Sequence, residues 1–189
     1  MLKFQSSIKT LRLTLLSSLL VTTPLLYAQH SHSAAASASS STLVQDVRQG
    51  TKQFINVNNA TAAGYGPFLG CVTGTDHGAM GIHYVSGTVL GGNILNPATP
   101  TALIYEPQAN GALRLVGVEF IVDATTWLAA NNNTPPVLEG QVFNYVGAPN
   151  RFNINSFFEL HVWAWRDNPQ GSYVDWNNNV SCQSEQNPS

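Results

Sequence analysis

Charge is scarce in this chain. Asp, Glu, Lys and Arg together make up 10% of its 189 residues, too few for a self-repelling disordered chain or a long coiled coil. Basic residues are the scarcer sign, eight against ten acidic. Past the N-terminus they are dispersed as Arg48, Lys52, Arg114, Arg151 and Arg166. Without a basic stripe, no nucleic-acid partner is expected. There is no G-x-S-x-G elbow, Walker A loop or dinucleotide fingerprint; Gly91 and Gly92 form a turn signal without a following Lys, so nucleophile-elbow and nucleotide chemistry have no anchor. The length suits one ordinary domain plus an address.

The address is the first feature present. Lys3, Lys9 and Arg12 precede a mostly apolar run over 13–26, closed by small Ala28, which is the pattern of a secretory signal. The run falls short of the ~20 residues needed to span hydrocarbon. Residues 1–28 therefore read as a signal peptide cut after Ala28 or Gln29, leaving no transmembrane span and a periplasmic or secreted protein. Cleavage removes three basic residues and leaves five against ten acidic groups, a net charge of about −5. Residues 29–41, QHSHSAAASASSS, form a low-complexity linker. A cut after Gln29 puts His30 first and His32 third, an arrangement that chelates Cu(II) or Ni(II).

Residues 42–189 read as a single globular domain. Its two cysteines, Cys71 and Cys182, are expected to pair, because an exported chain meets an oxidising compartment. Thr42 and Gln45 have the form of a capping box ahead of apolar residues at three- and four-residue steps, which predicts one amphipathic helix over 43–60. From Cys71 onward, short alternating apolar runs separated by Gly, Pro and Asn predict strands over 80–85, 102–106, 113–123, 137–145 and 157–165. PQANG supplies a hairpin turn, with Asn110 and Gly111 suited to positive φ. The expected fold is mainly β, a small barrel, sandwich or curved sheet with one N-terminal helix.

The chemistry concentrates on His77, His83, Glu119 and His161, with Glu106 as a further candidate. In HGAMGIHY an extended chain puts His77, Ala79, Gly81 and His83 on one face. In FFELHVWAW, Glu159, His161, Trp163 and Trp165 share a face opposite Leu160 and Val162. In GVEFIVD, Glu119 points away from Val118, Phe120 and Val122. Imidazoles and a carboxylate converging in a β scaffold suit a divalent transition metal: Zn, Cu or Fe, with Mn admitted by the carboxylate. The order His, His, Glu, His in a secreted β protein resembles the metal-binding set of the cupins, which implies ligands inside a small jelly-roll barrel. The core from Gly70 through HGAMGIHY, YEP, GVEF, LHVWAW, NP and VSC is similar to an uncharacterised family of secreted bacterial proteins, a resemblance that implies export and no particular activity.

The expected function is transition-metal binding, as a metalloenzyme if a coordination position stays open for water or a small-molecule substrate. A rival reading takes Trp163 and Trp165 as an aromatic platform for glycans or cell-envelope partners. A third is a structural envelope protein without a ligand.

Overall fold

The computed structural model describes residues 41–185. The chain divides into two units, Met1–Ala38 and Ser39–Ser189, and every described residue belongs to the second. The segments expected to be a signal peptide and, for the most part, a linker, with His30 and His32, lie outside the described residues.

The N-terminal amphipathic segment folds as α1 (Thr42–Thr51), a 3-10 turn (Lys52–Ile55) and α2 (Val57–Ala62) instead of one helix. The break falls at Asn56, which is extended (φ −89, ψ 112) and whose side chain accepts from Asn58 N to cap α2. An Asn at this position competes with the helix for backbone donors. The cap of α1 is Ser41, one residue before Thr42, with its hydroxyl accepting from Val44 N at 3.3 Å.

The domain is mainly β. Eight strands follow: β1 (Tyr65–Thr73), β2 (Ala79–Ser86), β3 (Ala102–Pro107), β4 (Leu113–Asp123), β5 (Val137–Leu138), β6 (Gln141–Val142), β7 (Asn144–Val146) and β8 (Phe157–Val162). Six form an antiparallel sheet in the order β1-β2-β3-β4-β8-β7, and β5 pairs with β6 in a small second sheet. Among the described residues no pairing joins the edges β1 and β7. Two short helices, α3 (Gly87–Gly92) and α4 (Ala124–Ala130), are capped by Ser86 and Asp123.

Several predicted boundaries shift for local reasons. The strand expected over 137–145 is split into β5, β6 and β7, because Glu139 (φ 47) and Gly140 (φ 82) turn the chain between β5 and β6; two consecutive positive φ angles are the geometry of a tight hairpin turn. The expected strands begin after Cys71, yet the chain already forms β1 from Tyr65, with Pro67 tolerated there because β1 is an edge strand. In the β3–β4 hairpin only Gly111 takes positive φ, at 79, and Asn110 contributes its side-chain oxygen to Ala112 N. β8 stops at Val162, short of the expected 165.

The sheet has two different faces. Leu103, Tyr105, Val118, Phe120, Leu160 and Val162 pack with Leu43, Val44, Val47, Phe54 and Ala60 from the helical segment, forming the main core. On strands that pair with these, His83, Ala102, Ile104, Gly117, Glu119 and His161 alternate to the other face. There a smaller cluster of Ile104, Val116, Trp163 and Val180 lies against Ala79 and half-buried Cys182. Cys71 and Cys182 form a disulfide, which ties β1 to the C-terminal segment across a separation of 111 residues.

Candidate metal centre

Register brings three of the predicted ligands together. Glu119 on β4 is the direct cross-strand partner of His161 on β8, so their side chains rise side by side from one face. His83 stands two strands away on β2, paired with Ile104 of β3, while Ala102 of β3 sits opposite Glu119. A methyl at Ala102 leaves the space over which His83 and Glu119 reach each other, with His83 Nε2 3.3 Å from Glu119 Oε2. The His83 and His161 rings meet edge to face with centroids 5.8 Å apart. One ligand atom from each of His83, Glu119 and His161 lies within 4.8 Å of the others. Tetrahedral zinc with bonds of about 2.0–2.2 Å separates its ligands by roughly 3.3 Å, so small side-chain shifts close the set. This buried His/Glu/His group could hold a metal ion.

His77 stands apart from that group. It is exposed in the loop between β1 and β2, and among the described residues no metal-competent set includes it. The simple alternation from His77 to His83 is interrupted by a bulge: Val72 pairs with Gly81 and the next residue, Thr73, with Ala79. Gly81 has φ +101, and a Cβ there would lie 2.7 Å from the Tyr105 carbonyl oxygen, so only glycine fits. The shift places Met80, His83 and Val85 along one pocket. Glu106 is also elsewhere, accepting from Ser181 N at 3.0 Å.

The two tryptophans do not share a face. The strand ends at Val162, and Trp163 is buried at 3% exposure, its indole N–H donating to the Val174 carbonyl. Its ring stacks behind His161, centroids 6.1 Å apart and planes 22° from parallel. Trp165 is half-buried on the opposite side, donating to Thr51 Oγ1 at 3.0 Å.

Two further acids complete the site. Glu159, two residues before His161 on β8, shares its face, and Asp175 arrives from the C-terminal segment with Oδ1 3.7 Å from His161 Nδ1. Glu159, His161 and Asp175 form a second trio whose ligand atoms lie within 4.8 Å of one another. Alternation in FFELH already places Glu159 beside His161, but Asp175 follows the last strand in a segment with no periodicity to reveal its direction.

Burial dominates the electrostatics. It pushes the His161 imidazole down to about 4. Burial also drives His83 down, helped by repulsion from His161 and opposed by a hydrogen bond to the Gly81 backbone, to about 3. Both rings are neutral near pH 7, the form that ligates metals. Burial raises Glu119 well above the ordinary carboxylate range, with the charge and hydrogen bond of Glu159 and the charge of Asp175 adding to the effect. Glu159 is pushed up to about 7, chiefly by burial, with the Glu119 hydrogen bond opposing and Asp175 reinforcing. Asp175 is raised by burial and pulled back by its bond from Asn144.

Among the described residues, no Lys or Arg forms an ion pair with these acids. Arg48 donates to the Ala164 carbonyl and Arg166 to that of Asn179. Both ring nitrogens of His161, 1% exposed, lack hydrogen-bond partners. A pocket of about 40 Å³ opens beside His83 and Glu119, walled by Phe68, Leu69, Met80, Ile121 and Phe157 among others. No family model, curated protein or solved structure matches the chain.

Proposed function

We propose that this protein binds a divalent transition metal in the periplasm or outside the cell, with His83, Glu119 and His161 as ligands. The observation that carries the reading is His161. A fully buried imidazole with both nitrogens unpartnered costs about 1–3 kcal/mol for the lost hydrogen bonding, and an ion bonded to one nitrogen offsets part of that cost. Glu119 supports it: a buried carboxylate is ordinarily paired or bound to metal, and among the described residues no cation pairs with it, the His83 imidazole at 3.3 Å being neutral.

Two imidazoles and a carboxylate suit Zn, Fe, Cu or Mn and leave positions open for water or substrate. His83 and Glu119 stand at the polar end of an otherwise apolar pocket, so a small molecule bound there would meet the ion with its polar end and the pocket wall with its apolar part. If the centre is catalytic, the ion serves as Lewis acid or redox centre. The disulfide fits an oxidising compartment.

The test is the metal content of untagged protein purified from the periplasm. Wild-type protein is expected to retain at least one equivalent through dialysis, with His161→Ala and Glu119→Gln losing it while keeping a native circular dichroism spectrum. Chelator should lower the melting temperature of the wild type, since a bound ion stabilises by mass action, and leave that of His161→Ala unchanged. Equal metal content in wild type and both variants, with no chelator effect, overturns the reading.

A further inference from the structure

We propose that the centre is dinuclear: Glu159, His161 and Asp175 hold a second divalent cation beside the one held by His83, Glu119 and His161, with the His161 ring shared. The proposal rests on the single-ion reading and adds a second ion to it.

His161 again carries the argument. An ion held with His83 and Glu119 takes one ring nitrogen and leaves the other still buried without a partner. Asp175 does not satisfy it: at 3.7 Å, Nδ1 to Oδ1, the separation is beyond hydrogen-bonding range. It is, however, a separation that a cation between the two atoms would span, given ligand bonds of about 2.0–2.2 Å. Glu159, 4% exposed, supplies the third ligand from the same strand face. Asn144 Nδ2 reaches Asp175 Oδ1 at 3.4 Å from the neighbouring edge strand, which holds the carboxylate toward the ring. The Asp175 side chain is 33% exposed, so this half of the site opens to solvent while the other half opens to the pocket.

The charges also balance for two ions. Glu119, Glu159 and Asp175 carry three negative charges when ionised, and no Lys or Arg pairs with them among the described residues. One divalent cation and the proton shared by Glu119 and Glu159 together offset these charges, so a second cation has to displace that proton. Two cations bridged by His161 require its ring to lose the N–H proton, so the ligands total four negative charges against four positive. That proton, and the one in the hydrogen bond between Glu119 and Glu159, pass to solvent as the ions bind. Two carboxylates with one imidazole form a harder donor set than two imidazoles with one carboxylate, so the second position favours Mn(II) or Zn(II) over Cu.

The competing role for Asp175 is orientation of the His161 ring around a single ion, a positioning contact whose loss typically weakens metal binding 10- to 100-fold. Equilibrium dialysis against Zn(II), with the bound metal counted per chain, separates the two. The parent protein should carry His30→Ala, His32→Ala and His77→Ala so that exposed or terminal imidazoles do not contribute. Two equivalents are expected in the parent and one in each of Asp175→Asn and Glu159→Gln, with folding checked by circular dichroism. Electron paramagnetic resonance of the Mn(II)-loaded parent should show two coupled ions, and the variants a single isolated one. One equivalent in the parent overturns the second site and leaves the first standing. No bound metal overturns both, and two equivalents retained in both variants removes Asp175 and Glu159 from the site.

Discussion

At the scale of single residues, the site depends on side chains that are absent as much as on those present. Gly117 lies on β4 two residues before Glu119, and a Cβ there would stand 3.0 Å from the Val162 carbonyl oxygen and 3.1 Å from Trp163 Cε3. Glycine lets the indole lie down on the sheet, where it stacks behind His161. Gly117→Ala should push Trp163 toward His161, costing about 1–3 kcal/mol as overpacking does and weakening metal binding through the displaced ring. Thermal unfolding with and without Zn(II) checks this: the variant should melt lower and gain less from the metal than the wild type does. Ala102 acts similarly by spacing. It is wholly buried between the rows of His83 and Glu119, and Ala102→Leu should fill the gap over which the two ligands meet, abolishing metal retention at dialysis while secondary structure persists.

At the scale of elements, period-two alternation made the site legible and irregularity hid the rest. FFELH and GVEF each form continuous strand, so placing Glu119 and His161 opposite an apolar face needed only counting. HGAMGIHY did not obey the count, because the bulge at Gly81 shifts the phase and His77 belongs to the preceding loop. Nothing in the local pattern announces a bulge except the glycine itself. Asp175 was not legible, since its approach to His161 depends on how the chain returns after β8. The helix break at Asn56 and the edge strand through Pro67 were both masked by residues with two permissible uses. The docking of helix onto sheet carries a testable pH dependence. Tyr105 donates its hydroxyl to the Phe54 carbonyl at 2.7 Å and Tyr65 to that of Pro100 at 2.8 Å. Burial raises both phenols, Tyr65 to about 12. The unfolded chain ionises first, near the ordinary 10, so the stability these groups contribute is complete below pH 10 and is lost as pH rises toward 12. Urea midpoints should hold level from pH 8 to 9.5 and fall above pH 10, with a shallower fall in Tyr65→Phe. An equal slope in that variant would remove Tyr65 as a cause.

At the scale of the whole molecule, the disulfide ties the sheet edge beside His83 to the C-terminal segment that carries Asp175. Cys71 lies on edge strand β1, which flanks β2 and His83, and Cys182 ends the segment that brings Asp175 to His161. Between them the segment is fastened by contacts that the sheet pairing does not include: Asn177 exchanges backbone hydrogen bonds with Ala79, Trp163 donates to the Ser172 and Val174 carbonyls, Glu106 accepts from Ser181, and Val180 is buried in the smaller core cluster. Closing a loop of 111 residues is worth about 4–5 kcal/mol in unfolded-chain entropy, comparable with the lower end of a domain's net stability. Cys71→Ser with Cys182→Ser should therefore lower the urea midpoint steeply. Its effect on metal should be unequal, because Glu119, His161 and His83 are held by strand pairing inside the sheet, whereas Asp175 relies on the tethered segment. In Zn(II) dialysis at a temperature where the double variant remains folded, the ion proposed at Asp175 should be lost at a higher free-metal concentration than the one proposed at His83. Simultaneous loss of both would mean that the disulfide supports the whole sheet and not the segment alone.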